Sequence, residues 1–294
     1  MKIQKSFKEQ SETGTLYVVP TPIGNLEDMT FRAVKTLKDA DVIGAEDTRN
    51  TKKLCNHFEI VTPLVSYHEH NKHTKGPHLV DRLLNGDDIA IVSDAGMPGI
   101  SDPGTDLVQR SIEEDIPVVV LPGANAALPA LAGSGLSTEE FYFCGFLPRK
   151  KKERALVLKR LESIQATLVF YESPHRLKDM LAHLQEHFGP RKATLARELS
   201  KRFEEYVRGS LEELAAWANE GELRGEFCVL LEGAEEGEHE EEYWWAHLSL
   251  IDHVVHYMEK EGLKNKQAIK QTALDRKLPK RDVYQAYHVD GESN

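Results

Sequence analysis

Residues 88 to 106, DIAIVSDAGMPGISDPGTD, constrain the fold of this chain more than any other stretch. The apolar run of Ile89, Ile91 and Val92 reads as a buried strand, and Gly96, Pro98, Gly99, Pro103 and Gly104 then stop both strand and helix. Glycines let a ligand approach the main chain, and prolines fix the loop's shape. Ser101 or Asp102 is suitably spaced to cap a helix starting near Thr105. In an open α/β sheet such a strand-to-helix loop is where small charged ligands bind. A tight turn without a ligand has the same local signature, so the other loops must decide.

The alternation continues on both sides. TLYVVP, DVIGAE, PLVSY, residues 88–94 and PVVVLPG read as strands. FRAVKTLKDA capped by Thr30, TRNTKKLCNHFE, 75–86 and 105–115 read as helices. This pattern predicts an α/β domain at 14–123 with a parallel sheet covered on both faces. TPIGNLED, EDTRNT, SDAGMPGISDPG and LPGANAALPALAGSG follow the first, second, fourth and fifth strands. Parallel strands share a direction, so these four loops gather on one sheet edge. None carries a P-loop or a dinucleotide-binding glycine pattern, which counts against both kinds of nucleotide site.

A second α/β domain with a mixed sheet is expected at 124–234. Its strands are FYFCGFL, ATLVFYES, ATLARELS, FEEYVRG and GEFCVLLEG, and its helices lie at 151–164, 175–188 and 210–220. Residues 233–242, GAEEGEHEEE, are too acidic to pack and read as a linker. Residues 243–294 give three short helices. The fold class is thus α/β, two α/β domains plus a small C-terminal helical module. No run approaches the ~18 apolar residues of a membrane span, and the polar start MKIQKSFKEQSETG lacks a signal-peptide core. Cys55, Cys144 and Cys228 form no C-x-x-C pair, which points to a reducing cytoplasm. A net charge of −11 argues against a general nucleic-acid coat protein but leaves local basic patches open.

Seven ordered motifs add a resemblance: TPIGNLEDMTFRAVKTLKDADVIGAEDTRNTKKL, VSDAGMPGISDPG, LPGANAALPALAGSGL, FCGFLPRK, FYESPHRL, ARELSKRFEE and GEFCVLLEG. Together they resemble the small-subunit ribosomal RNA methylase family of the tetrapyrrole methylase superfamily (class III methyltransferases). The tail GLKNKQAIKQTALDRKLPKRDVY is similar to that family's helical end. The resemblance implies S-adenosyl-L-methionine in a cleft between two α/β domains, a homodimer, and 2′-O-methylation of a cytidine ribose in the decoding region of 16S ribosomal RNA. The superfamily's GDP-type loop, which holds the methionine end of the cofactor, corresponds to Ala95, Gly96, Met97, Pro98 and Ile100. Met97 stands where the aspartate is usual, which suggests that backbone amides do the holding. By the same likeness Pro22, Asn125, Ala126, Tyr171 and Leu199 are cofactor contacts.

The cofactor's carboxylate, ammonium, sulfonium and adenine need amide donors, carbonyl acceptors and an apolar slot. Glycine loops and helix starts supply the first two, and ANAALPALAGSG offers small side chains around a purine. Those alanines also suit mere close approach of helix and sheet. Asp47 and Glu172 are the expected proton acceptors or orienters, with Glu46, His175 and Glu198 also at the cleft edge. Arg49, Arg176, Arg197 and Lys201 are expected to clamp RNA phosphates. The same charged groups suit a structural salt-bridge network.

PRKKKERALVLKR, residues 148–160, places Arg149, Lys150, Lys151, Lys152, Arg154, Lys159 and Arg160 around Glu153. Alone it reads as a solvated helix face; with the resemblance it becomes an RNA track. Lys264, Lys266, Lys270, Arg276, Lys277, Lys280 and Arg281 form a second basic region in a helix-turn-helix-like tail. That tail either docks on RNA or supports a dimer. His68, His70 and His73 lack cysteine partners, and no metal site is expected. Trp244 and Trp245 are expected to anchor the tail's packing.

Overall fold

The computed structural model describes residues 3–4, 12–235, 244–245 and 247–290. The chain divides into two compact units, Met1–Glu236 and Gly237–Asn294. Most of the acidic segment, residues 236–242, lies outside the described residues.

The first unit begins with β1 (Leu16–Val18), α1 (Phe31–Asp39), β2 (Val42–Ala45), α2 (Thr48–His57), β3 (Leu64–Ser66), α3 (Lys72–Leu84), β4 (Ile89–Val92), α4 (Thr105–Glu113) and β5 (Val118–Val120). The strands form one parallel sheet in the order β3-β2-β4-β1-β5. β2 and β4 are buried at every residue, as strands covered on both faces must be. On one face Leu79 and Leu83 of α3 and Leu107 of α4 pack against Leu16, Val18, Ile89 and Ile91. On the other, Leu37 of α1 and Cys55 of α2 pack against Ile43, Ala45, Ala90 and Val92. β1 and β4 are therefore neighbours whose outgoing helices leave on opposite faces, and a crevice opens at the carboxyl ends of such a pair.

The chain continues through α5 (Ala127–Ser134), β6 (Phe141–Phe146), α6 (Lys151–Leu161), β7 (Thr167–Glu172), α7 (Pro174–Phe188), β8 (Lys192–Arg197), β9 (Glu205–Ser210), α8 (Leu211–Glu220) and β10 (Phe227–Leu231). This sheet runs β6-β7-β10-β8-β9 and is mixed: β6 and β7 are parallel, and the remaining pairs are antiparallel. Leucines of α6, α7 and α8 cover one face around Phe170, Leu195 and Val229. α5 covers the other, through Ala127, Ala130 and Leu131 against Val169, Ala196 and Leu230.

Two local expectations change. Neither Ser101 nor Asp102 caps α4. Gly104 occupies the cap position with φ 138°, and no side chain bonds the first turn. Residues 127–134, expected as a small-residue loop around a purine, form the helix α5. Pro129 is tolerated because it stands in the first turn, where a backbone N–H has no helical partner. Two of the remaining donors are met from outside the helix: Leu128 N–H donates to Asn125 Oδ1 (3.0 Å) and Ala127 N–H to Tyr171 Oη (3.1 Å). The tyrosine comes from β7, so this cap is invisible in the local sequence.

The second unit contains α9 (Leu250–Glu259), α10 (Asn265–Asp275) and α11 (Lys280–Gln285) around Val254, Tyr257, Ile269 and Val283. The Trp245 ring stacks on His253 with centroids 5.2 Å apart, and the Arg276 guanidinium lies 4.9 Å from the Trp245 centroid. Arg276 also donates to His253 Nδ1 and to the Trp245 and Leu248 carbonyls. It thus serves as an internal strut and not as part of an outward basic surface.

Candidate active site

The loops after β1, β4 and β5 are tied together by backbone. Thr21 and Gly96 exchange both main-chain hydrogen bonds at 2.9 Å. Gly123 lies so near Pro20 that an added Cβ would come within 2.8 Å of the proline's Cβ. The second sheet faces these loops. Ser200 hydrogen-bonds Asp28, and Lys201 crosses over Gly24 so closely that a Cβ added there would come within 2.4 Å of its Cγ. Ser101, Glu198 and Ser200 hold left-handed backbone with φ 66°, 50° and 67°. Each costs about 1–3 kcal/mol for a residue other than glycine, and such strain gathers at functional sites.

Between the two sheets lies a pocket of about 440 Å³, within the range of small-ligand sites. The first sheet contributes Ile23, Glu46, Asp94, Ala95, Gly96 and Met97, together with Ile100, Ser101 and Asp102. Asn125 and Ala126 come from the start of α5, and Phe146, Tyr171, Glu172, Ala196, Glu198, Leu199, Lys201 and Cys228 from the second sheet and its loops. Eight of the ten expected cofactor contacts therefore line one pocket: Ala95, Gly96, Met97, Ile100, Asn125, Ala126, Tyr171 and Leu199. Pro22 and Pro98 are not among the lining residues; their neighbours Ile23 and Met97 are.

The two expected proton acceptors part company. Glu172 ends β7, lines the pocket and is 2% exposed. Its Oε1 accepts from Ser173 N–H at 2.8 Å. Its Oε2 lies 3.3 Å from Arg176 Nη2, outside hydrogen-bond geometry, and has no hydrogen-bond donor. Asp47 is not among the lining residues. It caps α2 and grips Arg49, whose Nε and Nη2 lie 3.0 and 2.6 Å from its oxygens. That hydrogen-bonded guanidinium pulls the Asp47 carboxyl down to about 2.

The residues expected to clamp phosphates separate in the same way. Arg176 donates to the Leu147 carbonyl at 2.7 Å. Arg197 pairs with Glu205 at 3.2 Å and donates to the Arg224 carbonyl. Lys201, the one cation among the described lining residues, pairs with Glu198 and Glu226 at 2.9 Å each. Arg149, Lys150, Lys151 and Lys152 are exposed at the start of α6, and Lys150 pairs with Glu153. Arg154, from the same basic run, turns inward to Asp179 and His183.

Sequence reasoning missed Asp94, Phe146, Ala196 and Cys228 as lining residues. Their positions next to Ala95, in FCGFLPRK, in ARELSK and in GEFCVLL were the available signals. Asp94 joins Glu46 and Asp102 in a cluster of carboxylates. Burial, then Glu46 and Asp94, pushes Asp102 up to about 6, and burial with Asp94 raises Glu46. Folded Asp102 therefore holds its proton up to about pH 6, whereas an unfolded carboxyl releases it near 3.8. The stability contributed by that proton is fully present below the lower value and is lost as pH rises through the higher. In melting curves at stepped pH, Asp102→Asn should gain Tm over the parent as pH rises towards 6 and level off above. A difference independent of pH would contradict this burial.

Gly96 carries φ 79°, and its Cβ would meet Ile23 Cγ2 at 3.4 Å. A β-branched residue there is strained by about 1–3 kcal/mol, relieved only by breaking the Thr21 bridge and moving the loop. Gly96→Val should therefore weaken S-adenosylhomocysteine binding about 10- to 100-fold by calorimetry; unchanged affinity would mean that this loop does not touch the ligand.

A model of the Tetrapyrrole (Corrin/Porphyrin) Methylases matches residues 15–215. Over 290 residues the chain is 57% identical to "Ribosomal RNA small subunit methyltransferase I" of Halalkalibacterium halodurans, covering 99% of this chain and 100% of that protein. The Bacillus subtilis protein of the same name is 53% identical over 98% of this chain and 99% of its own. The chain belongs to the ribosomal RNA small subunit methyltransferase I family of the tetrapyrrole methylases. Among solved structures, a diphthine synthase superposes with TM-score 0.58 at 14% identity, covering 74% of this chain and 90% of that one. The Thermus thermophilus uroporphyrin-III C-methyltransferase complexed with S-adenosylhomocysteine gives 0.53 at 19% identity, covering 74% and 97%. Both likenesses concern the fold. Within this methyltransferase family fold, the pocket lies at the strand ends where the sheet's connections diverge.

Proposed function

We propose that the chain is an S-adenosylmethionine-dependent methyltransferase that modifies the 2′-hydroxyl of a cytidine in the decoding region of 16S ribosomal RNA, within the small subunit, in the cytoplasm. The observation that carries the reading is the pocket built by Ala95, Gly96, Met97, Asn125 and Ala126 at the junction of the two sheets. Its chemistry suits the donor. Ala126, Ala196, Leu199 and Cys228 offer an apolar slot for an adenine, and Glu46, Asp94 and Asp102 bring negative charge for an ammonium or a sulfonium. The names of the relatives support ribosomal RNA of the small subunit as the substrate class.

When bound, S-adenosylmethionine supplies the activated methyl group. Loop residues 94–102 and 123–126 fix the geometry of the encounter, and holding reactants in line contributes ~7–11 kcal/mol. Glu172 accepts the ribose proton at Oε2, a contribution of roughly 10²- to 10⁴-fold. Arg176, 3.3 Å from that oxygen and fixed by the Leu147 carbonyl, orients the carboxylate. Arg149, Lys151 and Lys152 attract the phosphates. Residues 14–123 and 124–234 form the two lobes, and the active species is a homodimer.

The test is to incubate the protein with methyl-labelled S-adenosylmethionine and unmethylated 30S subunits, naked 16S RNA or uroporphyrinogen. Label should enter RNA at a cytidine 2′-oxygen. Label found only in the porphyrin would overturn the reading.

A further inference from the structure

We propose that Phe146 is the stacking surface for the base of the acceptor nucleotide, which enters the pocket splayed out of its own stack. The inference rests on the RNA methyltransferase reading above and adds the residue that holds the target base.

The position of Phe146 comes from a fault in a strand. β6 pairs with β7 in the register Phe143 with Val169, but then Gly145 with Phe170 and Phe146 with Tyr171. One extra residue, Cys144, is inserted opposite β7. Side chains alternate between the faces of a strand, so an unbroken β6 would send Phe146 to the face opposite Phe143, the one covered by α6 and α7. The bulge reverses this, as bulges beside active sites do. Phe143 and Phe146 both end beside Tyr171, with ring centroids 5.1 and 5.8 Å from it. Gly145 makes the reversal possible: its φ is 64°, and an added Cβ would press within 3.1 Å of Ser101 Oγ in the loop after β4.

Core packing does not account for the result. Phe143 already fills the sheet side of Tyr171 and belongs to the core beneath α5, whereas Phe146 is 54% exposed while lining the pocket. A large ring at a pocket opening is held there at the expense of its own burial. The main chain just beyond it is fixed, because Arg176 grips the Leu147 carbonyl. Three to six residues further on stand exposed Arg149, Lys151 and Lys152. An aromatic face at the mouth, with cations directly following, matches a base and the phosphates of its strand. Proteins read unstacked RNA bases on aromatic rings in this manner.

The experiment compares Phe146→Ala, Phe146→Leu and Phe146→Trp with the parent on unmethylated 30S subunits. S-adenosylhomocysteine affinity is measured in parallel by calorimetry. The alanine variant should lose about 5- to 150-fold in kcat/KM for subunits, Trp should stay within about 3-fold of the parent, and Leu should resemble Ala. All should bind S-adenosylhomocysteine within about 2-fold of the parent, which also verifies folding. The proposal is overturned if Ala matches the parent, if Leu restores activity as well as Trp, or if S-adenosylhomocysteine affinity falls in step with activity, which would assign the ring to the donor. A parent protein that labels no RNA overturns the functional reading and this inference together; a fully active Phe146→Ala overturns this one alone.

Discussion

Glu172→Gln should lower methyl transfer to small subunits about 10²- to 10⁴-fold, the range lost when a positioned proton acceptor is removed. The substitution keeps shape and most contacts, since an amide oxygen still accepts from Ser173 N–H, the 2.8 Å bond made by Glu172 Oε1. What it removes is the charge on Oε2, an oxygen that is buried at the pocket, lacks a hydrogen-bond donor and lies 3.3 Å from Arg176. A buried carboxylate with an unfilled acceptor position is costly to keep, and a substrate hydroxyl is a partner that would offset the cost. Single-turnover rates should fall while S-adenosylhomocysteine affinity stays within about 3-fold. Retention of most of the activity would move the proton to another group, and Asp102 in the same pocket would be the next to examine.

Phe170→Ala should cost about 3–5 kcal/mol of stability, the usual range for emptying an aromatic site in a tight core. Phe170 is fully buried at the centre of β7, among leucines from α6, α7 and α8. Its strand is fixed on both sides, by β6 and β10, so the walls have little freedom to collapse into the space. For a domain of this size the loss corresponds to roughly 6–20 °C in Tm, readable by calorimetry. The next two residues along the strand, Tyr171 and Glu172, line the pocket. The same variant should therefore bind S-adenosylhomocysteine less tightly even at temperatures where it remains folded. A Tm lowered by less than 2 °C would show that the core does not depend on this ring.

Most elements were legible in the sequence because their signals are local. Apolar runs at Leu16–Val18, Ile89–Val92 and Phe227–Leu231 became strands. Thr30 caps α1 through Ala33 N–H, as its position predicted. The helix α5 was not legible, since one of its donors is met by Tyr171, 44 residues away. The basic run at 148–160 looked like one surface, yet Arg154 turns inward to Asp179, because a helix presents residue 154 to the side opposite residue 152.

The sequence by itself determined the family, the two sheets and the loops that meet at the pocket, because strand periodicity, glycine and proline placement and motif order are properties of short stretches. Only the tertiary structure decided which charged residues line the pocket. Glu172 and Asp47 stand in equally suggestive motifs, but one lines the pocket with a buried oxygen that no hydrogen-bond donor fills and the other is held by Arg49 outside its lining. The difference depends on how the two sheets come together around the pocket, which the spacing of the residues concerned does not record.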